Sequence, residues 1–253
     1  GTWYMGEDPK LREKEIEAFE SKEYWSIEAD LLKHKKTIKT KLTQHKNRKI
    51  EISTEKEAED IKKELDQGEF IVSSIKKGTK TKNPLAPFIT STLQQEASKR
   101  MNYQTRRTMS IAQKLYEGMD IKGYGSVGLI TYMRTDSTRI SDEAQASAKS
   151  YIESAFGKEY YPKTPRVYKG KKNAQDAHEA IRPTVIELTP EKVKDSVKAE
   201  EYKLYKLIWE RFIASQMESC KLNTISLEVL NGDYKFRASG SSVAFDGFMK
   251  LYD

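Results

Sequence analysis

The 253-residue sequence predicts an α+β protein: a β-rich domain built from both ends of the chain, with a mainly helical domain inserted into it. Three observations carry that prediction. Near both ends, apolar and polar residues alternate in short runs, the period of a half-buried strand. The middle carries apolar stripes at helical spacing, bounded by capping residues and glycines. Pro84 and Pro87 stand where the first style gives way to the second and mark a boundary.

The first ten residues, GTWYMGEDPK, have no amphipathic period and read as a leader added to the natural chain. From Leu11 the spacing reads as helix. Residues 23–31, EYWSIEADL, alternate Trp25, Ile27, Ala29 and Leu31 against polar neighbours and predict a strand. The basic run that follows reads as strand and loop, and KIEIS, 49–53, as another strand. Thr54 and Glu57 form a capping box for a helix whose stripe is Ala58, Ile61 and Leu65 and whose end is Gly68. EFIVSSI, 69–75, predicts a further strand. Beyond Pro87, PFITSTLQQEASKRM and TRRTMSIAQKLYEG read as two helices, the second closed by Gly118. A glycine-rich stretch leads into GLITYMRTDSTRIS, 128–141. Ser141 then caps a helix with Asp142 and Glu143 in its first turn and a stripe of Ala144, Ala148, Tyr151, Ile152 and Ala155. Thr189 and Pro190 begin another, and from 202 to 217 Tyr205, Ile208, Trp209, Phe212 and Gln216 share one face. NTISLEVL and YKFRAS, joined at Asn231-Gly232-Asp233, form a hairpin. The expected boundaries are 11–82 and 218–253 for the β-rich domain, 83–188 for the helical insertion and 189–217 for a helical connection.

Hydrophobic residues make up 37% of the sequence and charged residues 33%. Such a balance implies a large polar surface, as in an arch or several lobes. The net charge of +7 is unevenly placed. KHKKTIKTKLTQHKNR, 33–48, contains no acid, and KKGTKTK, 76–82, and PKTPRVYKGKK, 162–172, add further basic stretches. Segregation of this kind suits a polyanionic partner, although solvated loops have the same composition. The one cysteine, Cys220, excludes an internal disulfide and favours an intracellular, cytoplasmic location. It precedes a strand-like run and reads as a small core residue. No run of 18 apolar residues predicts a membrane span.

Chemistry concentrates where the apolar run GLI ends. On an extended chain, Tyr132, Arg134 and Asp136 point the same way. A phenol beside a guanidinium is a nucleophile suited to a phosphodiester. Arg134 can hold a phosphate oxygen bidentately, stabilise transition-state charge and favour the phenolate. Asp136 is placed to orient Arg134, while Thr131, Thr135, Ser137 and Thr138 offer hydroxyl donors. The competing reading makes Tyr132 a core residue and Arg134–Asp136 an ordinary ion pair. In AQDAHEAIRP, 174–183, His178, Glu179 and Arg182 form a second constellation. On a helix His178 and Arg182 would share a face as a phosphate clamp. Thr90, Ser91, Thr92, Gln94 and Gln95 offer uncharged donors at a helix start, for a nucleic-acid backbone or base edges; capping plus a solvated face explains them equally. No Cys/His cluster and no Asp-x-Asp triplet supplies a metal site.

GLITYMRTDSTRIS closely resembles the active-site segment of bacterial type IA DNA topoisomerases. PFITSTLQQEASKRM, AQDAHEAIRP and LYKLIWERFIASQM resemble further segments of that family, in the family's order, and TYMRTDST resembles its topoisomerase I branch. The resemblance covers nearly the whole chain after about residue 11. It implies that Tyr132 is the nucleophile that becomes joined to a DNA 5′-phosphate, that Arg134 assists cleavage and that His178 contacts phosphate. Asp136, Thr131, Thr135 and Arg182 match motif positions with supporting roles. It further implies that the β-rich ends form a hinge-like domain and the middle a gate carrying the tyrosine. The expected partners are single-stranded and negatively supercoiled DNA, engaged by a monomer without ATP and without a membrane.

One departure matters. The family's active site is shared with an N-terminal toprim domain that carries a glutamate and an acidic cluster for Mg²⁺, and this sequence has no counterpart. The expectation is therefore a central piece of a longer enzyme that binds single strands but does not relax DNA alone, with Mg²⁺ needed only once the toprim half is present. Two other readings stand beside it: a stand-alone single-stranded nucleic-acid-binding module, and a tyrosine recombinase-like enzyme. Chain order opposes the second, because there the tyrosine follows the histidine.

Overall fold

The computed structural model describes residues 10–19, 24–33, 36–169 and 178–253. Along the chain the elements are β1 (Lys10–Phe19), β2 (Tyr24–Lys33), β3 (Lys36–His45), β4 (Arg48–Lys49), α1 (Glu55–Gln67) and β5 (Ile71–Lys82). Next come α2 (Thr90–Met101), α3 (Thr105–Glu117), β6 (Met119–Ile121), β7 (Gly125–Val127), α4 (Asp142–Ala155), the short α5 (Pro190–Val193) and α6 (Ala199–Ser215). The long strands β8 (Cys220–Asn231) and β9 (Tyr234–Phe245) follow. The chain divides into two compact units, 1–80 with 222–244 and 81–221 with 245–253. Residues 245–253, expected in the β-rich part, thus group with the helices. Phe248 and Tyr252 are buried there, and Tyr252 stays buried because its hydroxyl accepts from Arg211 at 3.0 Å.

The first unit is a seven-stranded sheet in the order β1-β2-β3-β9-β8-β5, with β4 paired to β3. Residues from Leu11, expected as helix, instead form β1, antiparallel to β2 with Ile16 opposite Ile27 and Phe19 opposite Tyr24. Leu, Glu and Lys favour a helix locally, but pairing with a neighbouring strand overrides a propensity of a few tenths of a kcal/mol per residue, roughly. The register of β2 against β3 sets Glu28 opposite Lys41 and Asp30 opposite Lys39. Part of the acid-free basic run is thereby matched with carboxylates across the strand. The β3–β4 turn is Lys46-Asn47, both at positive φ (52° and 64°), as a two-residue type I′ hairpin requires. KIEIS, expected as one strand, contributes Lys49 to β4, opposite Gln44, and the bridge of Ile52 to Trp25.

One face of the sheet is apolar. Ile27, Ala29, Leu31, Ile38, Leu42, Leu227, Val229 and Phe236 are buried with Ala58 and Leu65 of α1 in one core. Thr54 caps α1 by accepting from the Glu57 N–H at 3.2 Å. At its other end Asn231 Nδ2 donates to the Leu65 carbonyl at 3.0 Å. A Cβ on Gly68 would lie 2.0 Å from Asn231 Oδ1, so glycine is what allows this side chain to reach the helix end.

The second unit is organised around α6, which is buried on most of its circumference. Its polar atoms point at loops. Tyr205 donates to the Leu188 carbonyl at 2.5 Å and Trp209 Nε1 to the Ile186 carbonyl at 3.0 Å. Arg211 donates through Nε to the Ala86 carbonyl at 2.6 Å, with its guanidinium 4.5 Å from the Phe88 ring centre. Burial pushes the Tyr205 phenol pKa far up, so it donates as a neutral group at any pH the fold survives. α6 therefore fixes the two stretches, 86–88 and 186–188, that lead into the site. Cys220 is fully buried, and burial raises its thiol pKa above the ordinary value. Among the described residues, no helix is long and apolar enough to cross a membrane.

Candidate active site

GLITYMRTDSTRIS is not part of a sheet ladder. Between Gly128 and Ser141 its only bridge is Ile130 with Pro183. Its backbone is instead held from both flanks by the two other motifs. On one side, the Thr131 N–H donates to the Arg182 carbonyl at 2.9 Å and the Thr184 N–H to the Leu129 carbonyl at 3.0 Å. On the other, the Thr90 N–H donates to the Thr135 carbonyl at 3.0 Å. Phe88 and Ile181 then bridge the flanks to each other, and the Ala180 N–H reaches the Arg139 carbonyl at 2.9 Å. Stretches separated by some forty to fifty residues in sequence thus meet as one irregular, backbone-bonded layer.

Two threonines lock that layer. Thr131 Oγ1 donates to the Ala180 carbonyl at 2.7 Å and accepts from the Arg182 N–H at 3.0 Å. Thr90 Oγ1 lies 2.7 Å from the Met133 carbonyl and 3.1 Å from that of Thr135, and accepts from the Thr135 N–H at 2.9 Å. Both hydroxyls were expected to face a phosphate; their protons are committed to main-chain carbonyls. Thr135 Oγ1 accepts from the Ser137 N–H, and Ser137 Oγ, 4% exposed, from the Arg139 N–H, each at 3.1 Å. Thr138 Oγ1 donates to the Tyr168 carbonyl at 3.1 Å. The hydroxyls of this segment shape its turns, as short polar side chains do where no ladder satisfies the backbone.

The result is an alternation. Met133 and Ser137 are buried and Thr131 and Thr135 half-buried, whereas Tyr132, Arg134 and Asp136 are exposed. Tyr132 is 49% exposed, which overturns the reading of it as a core residue. The Arg134–Asp136 ion pair does not form either: among the described residues, neither side chain makes a hydrogen bond or an ion pair. Arg134 and Tyr132 are both exposed, two positions apart, and among the described residues Asp136 does not orient the guanidinium.

Residues 178–183, which would put His178 and Arg182 on one face if helical, form no helix. Their N–H and C=O groups are taken up by residues 88, 131 and 139, which leaves no i,i+4 ladder and so no shared face for His178 and Arg182. His178 is exposed. Arg182 is 13% exposed at its side chain and grips Glu179 with Nε at 3.1 Å and Nη2 at 2.9 Å, while Nη1 donates to the Pro183 carbonyl at 3.1 Å. Glu179 in turn accepts from the Ser141 N–H at 2.8 Å. Burial pushes the Glu179 carboxyl up, but the Arg182 and Ser141 hydrogen bonds and the Arg182 charge outweigh it and hold the pKa below the ordinary value. Arg182 is a brace for the layer rather than a second clamp. Of the α2 residues, Ser91 and Gln95 are exposed and Gln94 is half-buried, and none makes a side-chain hydrogen bond among the described residues.

Sequence reasoning missed the Arg182–Glu179–Ser141 brace and the ring beside Tyr132. That ring is Tyr116, 5.3 Å away centre to centre at 62°. Its signal was slight: one tyrosine in the last turn of α3, among 14 in the chain. Among the described residues, no group of three or more His, Cys, Asp or Glu side chains could hold a metal ion.

A family model described as DNA topoisomerase matches residues 11–253. The solved structure of full-length topoisomerase I from Thermotoga maritima matches with 36% identity and a TM-score of 0.71, over 85% of this chain and 34% of that one. The chain thus spans about a third of the length of that relative. With the match running through every segment of the layer around Tyr132, the chain belongs to the type IA DNA topoisomerase family.

Proposed function

We propose that this chain supplies the nucleophilic wall of a single-strand DNA cleavage site. Tyr132 Oη attacks a backbone phosphorus, an O–P bond forms to the tyrosine, and the bond from phosphorus to the 3′ oxygen breaks. The phenol proton leaves to solvent or a nearby base, and the departing 3′ oxygen takes up a proton. The DNA 5′-phosphate is then held on Tyr132, and reversal of the same steps reseals the strand. Because the covalent bond conserves the energy of the phosphodiester, no ATP is required. Arg134 neutralises the phosphoryl oxygens as charge grows on them, and exposed His178 adds a further phosphate contact. Passage of a second strand through the break would relax negative supercoils. In this reading the sheet unit is the hinge and the helical unit the gate, in a monomer. The acidic Mg²⁺-binding half of the cleft comes from a toprim domain, and no step assigned here runs through that ion.

The observation that carries the proposal is the alternation at 131–137, which presents a phenol and a guanidinium, unpaired among the described residues, to solvent while the backbone is bonded at Thr131, Met133 and Thr135. Stopping the reaction with denaturant and mapping the peptide attached to the DNA 5′ end tests it. The adduct is expected on Tyr132, and Tyr132→Phe abolishes it without lowering the melting temperature. An adduct on another residue overturns the proposal. The 253-residue chain alone is expected to bind single strands and to leave supercoiled plasmid unrelaxed.

A further inference from the structure

The Tyr132 ring is held by little. Half of it is exposed, and its hydroxyl makes no hydrogen bond among the described residues. Its one aromatic neighbour among them is Tyr116, itself 40% exposed, edge-to-face at 5.3 Å and 62°. An exposed phenol on an irregular backbone has several rotamers open to it, and an edge-to-face partner removes most of them.

The placement of Tyr116 is built into the backbone. Tyr116 lies in the last turn of α3, and that turn is tied directly to the start of the tyrosine segment: the Leu129 N–H donates to the Leu115 carbonyl at 2.8 Å. Gly128 passes so close that a Cβ there would lie 2.7 Å from the Tyr116 carbonyl oxygen, a backbone atom that cannot swing aside. Thr184 Oγ1 donates to the Gly128 carbonyl at 2.5 Å and closes the other side of the same stretch. The end of α3 and the root of the Tyr132 segment are therefore one rigid junction. It excludes any side chain at 128 and carries the Tyr116 ring over to the nucleophile.

We infer that Tyr116 is a positioning residue for the nucleophile: its ring, set by the Gly128 junction, holds the Tyr132 phenol in the orientation from which it attacks. The inference rests on the reading of Tyr132 as the nucleophile. It requires the Tyr116 ring and not its hydroxyl, because the contact is ring edge to ring face and the hydroxyl makes no hydrogen bond among the described residues.

The test uses the full-length protein and a single-stranded oligonucleotide, with cleavage followed in single turnover at varied protein concentration. Tyr116→Ala should slow the cleavage step about fivefold to tenfold, the loss expected of one edge-to-face pair, and leave the half-saturating concentration unchanged. Tyr116→Phe should restore the wild-type rate. A second readout needs no activity: fluorotyrosine incorporated in place of tyrosine gives a ¹⁹F signal from Tyr132, assigned by its loss in Tyr132→Phe. That signal should shift and narrow toward the free-rotor position in Tyr116→Ala but not in Tyr116→Phe. Cleavage by Tyr116→Ala at the wild-type rate, or a change in the half-saturating concentration alone, overturns the inference while an adduct on Tyr132 leaves the proposed function standing. An adduct on a residue other than Tyr132 overturns both. Equal losses in the Ala and Phe variants also overturn it, because they would assign the effect to the hydroxyl.

Discussion

In the sheet unit, backbone groups satisfy one another along ladders, and apolar side chains of β2, β3, β8 and β9 pack with α1. In the helical unit the arrangement is reversed around the site. The stretches 86–90, 128–141 and 178–188 lack ladders, and buried or half-buried polar side chains complete their backbone bonds: Thr90, Thr131, Arg182, Tyr205, Trp209 and Arg211. The difference teaches where a functional surface can be made. A ladder fixes the direction of every second side chain and leaves little to choose. A segment held at selected carbonyls by side chains can turn Tyr132, Arg134 and Asp136 outward together and still be rigid.

That contrast is open to breakage. The largest expected effect is in the sheet unit, where stability depends on packing. Phe236→Ala, at the centre of its core, should cost about 3–5 kcal/mol, read by calorimetry as a lowered transition for that unit, with cleavage at low temperature retained by the full-length protein. In the helical unit, Arg211→Met removes the bonds to the Ala86 carbonyl and the Tyr252 hydroxyl and should cost about 2–4 kcal/mol. If it left the melting temperature alone, polar anchoring of the site's flanks would be the wrong description. Thr131→Val retains shape but orphans the Ala180 carbonyl and the Arg182 N–H. It should cost about 1–3 kcal/mol and slow cleavage, whereas Thr79→Val, at an exposed position of β5, should do neither.

The smallest effect concerns pH. The folded-state pKa of Glu179 lies below its ordinary 4.5, so the brace contributes its stability above that value and loses it as pH falls through the lower folded one. Glu179→Gln should therefore lower the melting temperature at pH 7, and the gap from wild type should narrow as pH falls below the ordinary carboxylate value and through the lower folded one. A gap constant from pH 7 to pH 3 would show that the charge on Glu179 is irrelevant.

Much of the regular structure was legible from local patterns: the capping box at Thr54, the Ser141 cap, the α6 stripe and the hairpin at Gly232. What escaped was decided at a distance. LREKEIEAF, 11–19, carries helical propensity and becomes a strand because β2 offers it a ladder. Residues 180–183 form no helix because residues 88, 131 and 139 take up their backbone groups. At the site, the alternation of Tyr132, Arg134 and Asp136 follows from their spacing alone. The inward use of the Thr90 and Thr131 hydroxyls does not, because a hydroxyl's partner cannot be read from its own neighbourhood.

Cys220 has a practical consequence for studying this chain. It is the only thiol in the sequence, and it is sealed from solvent with its pKa raised by burial. Maleimide chemistry, which needs an accessible thiolate, should pass it by in the native state. The protein is in that sense already prepared for spectroscopy. Cysteines placed at Asn47 in the sheet unit and Lys158 in the helical unit, both solvent-facing, could be dye-labelled without first deleting a native thiol. Energy transfer between the dyes would then report the separation of the two units as DNA is added, molecule by molecule.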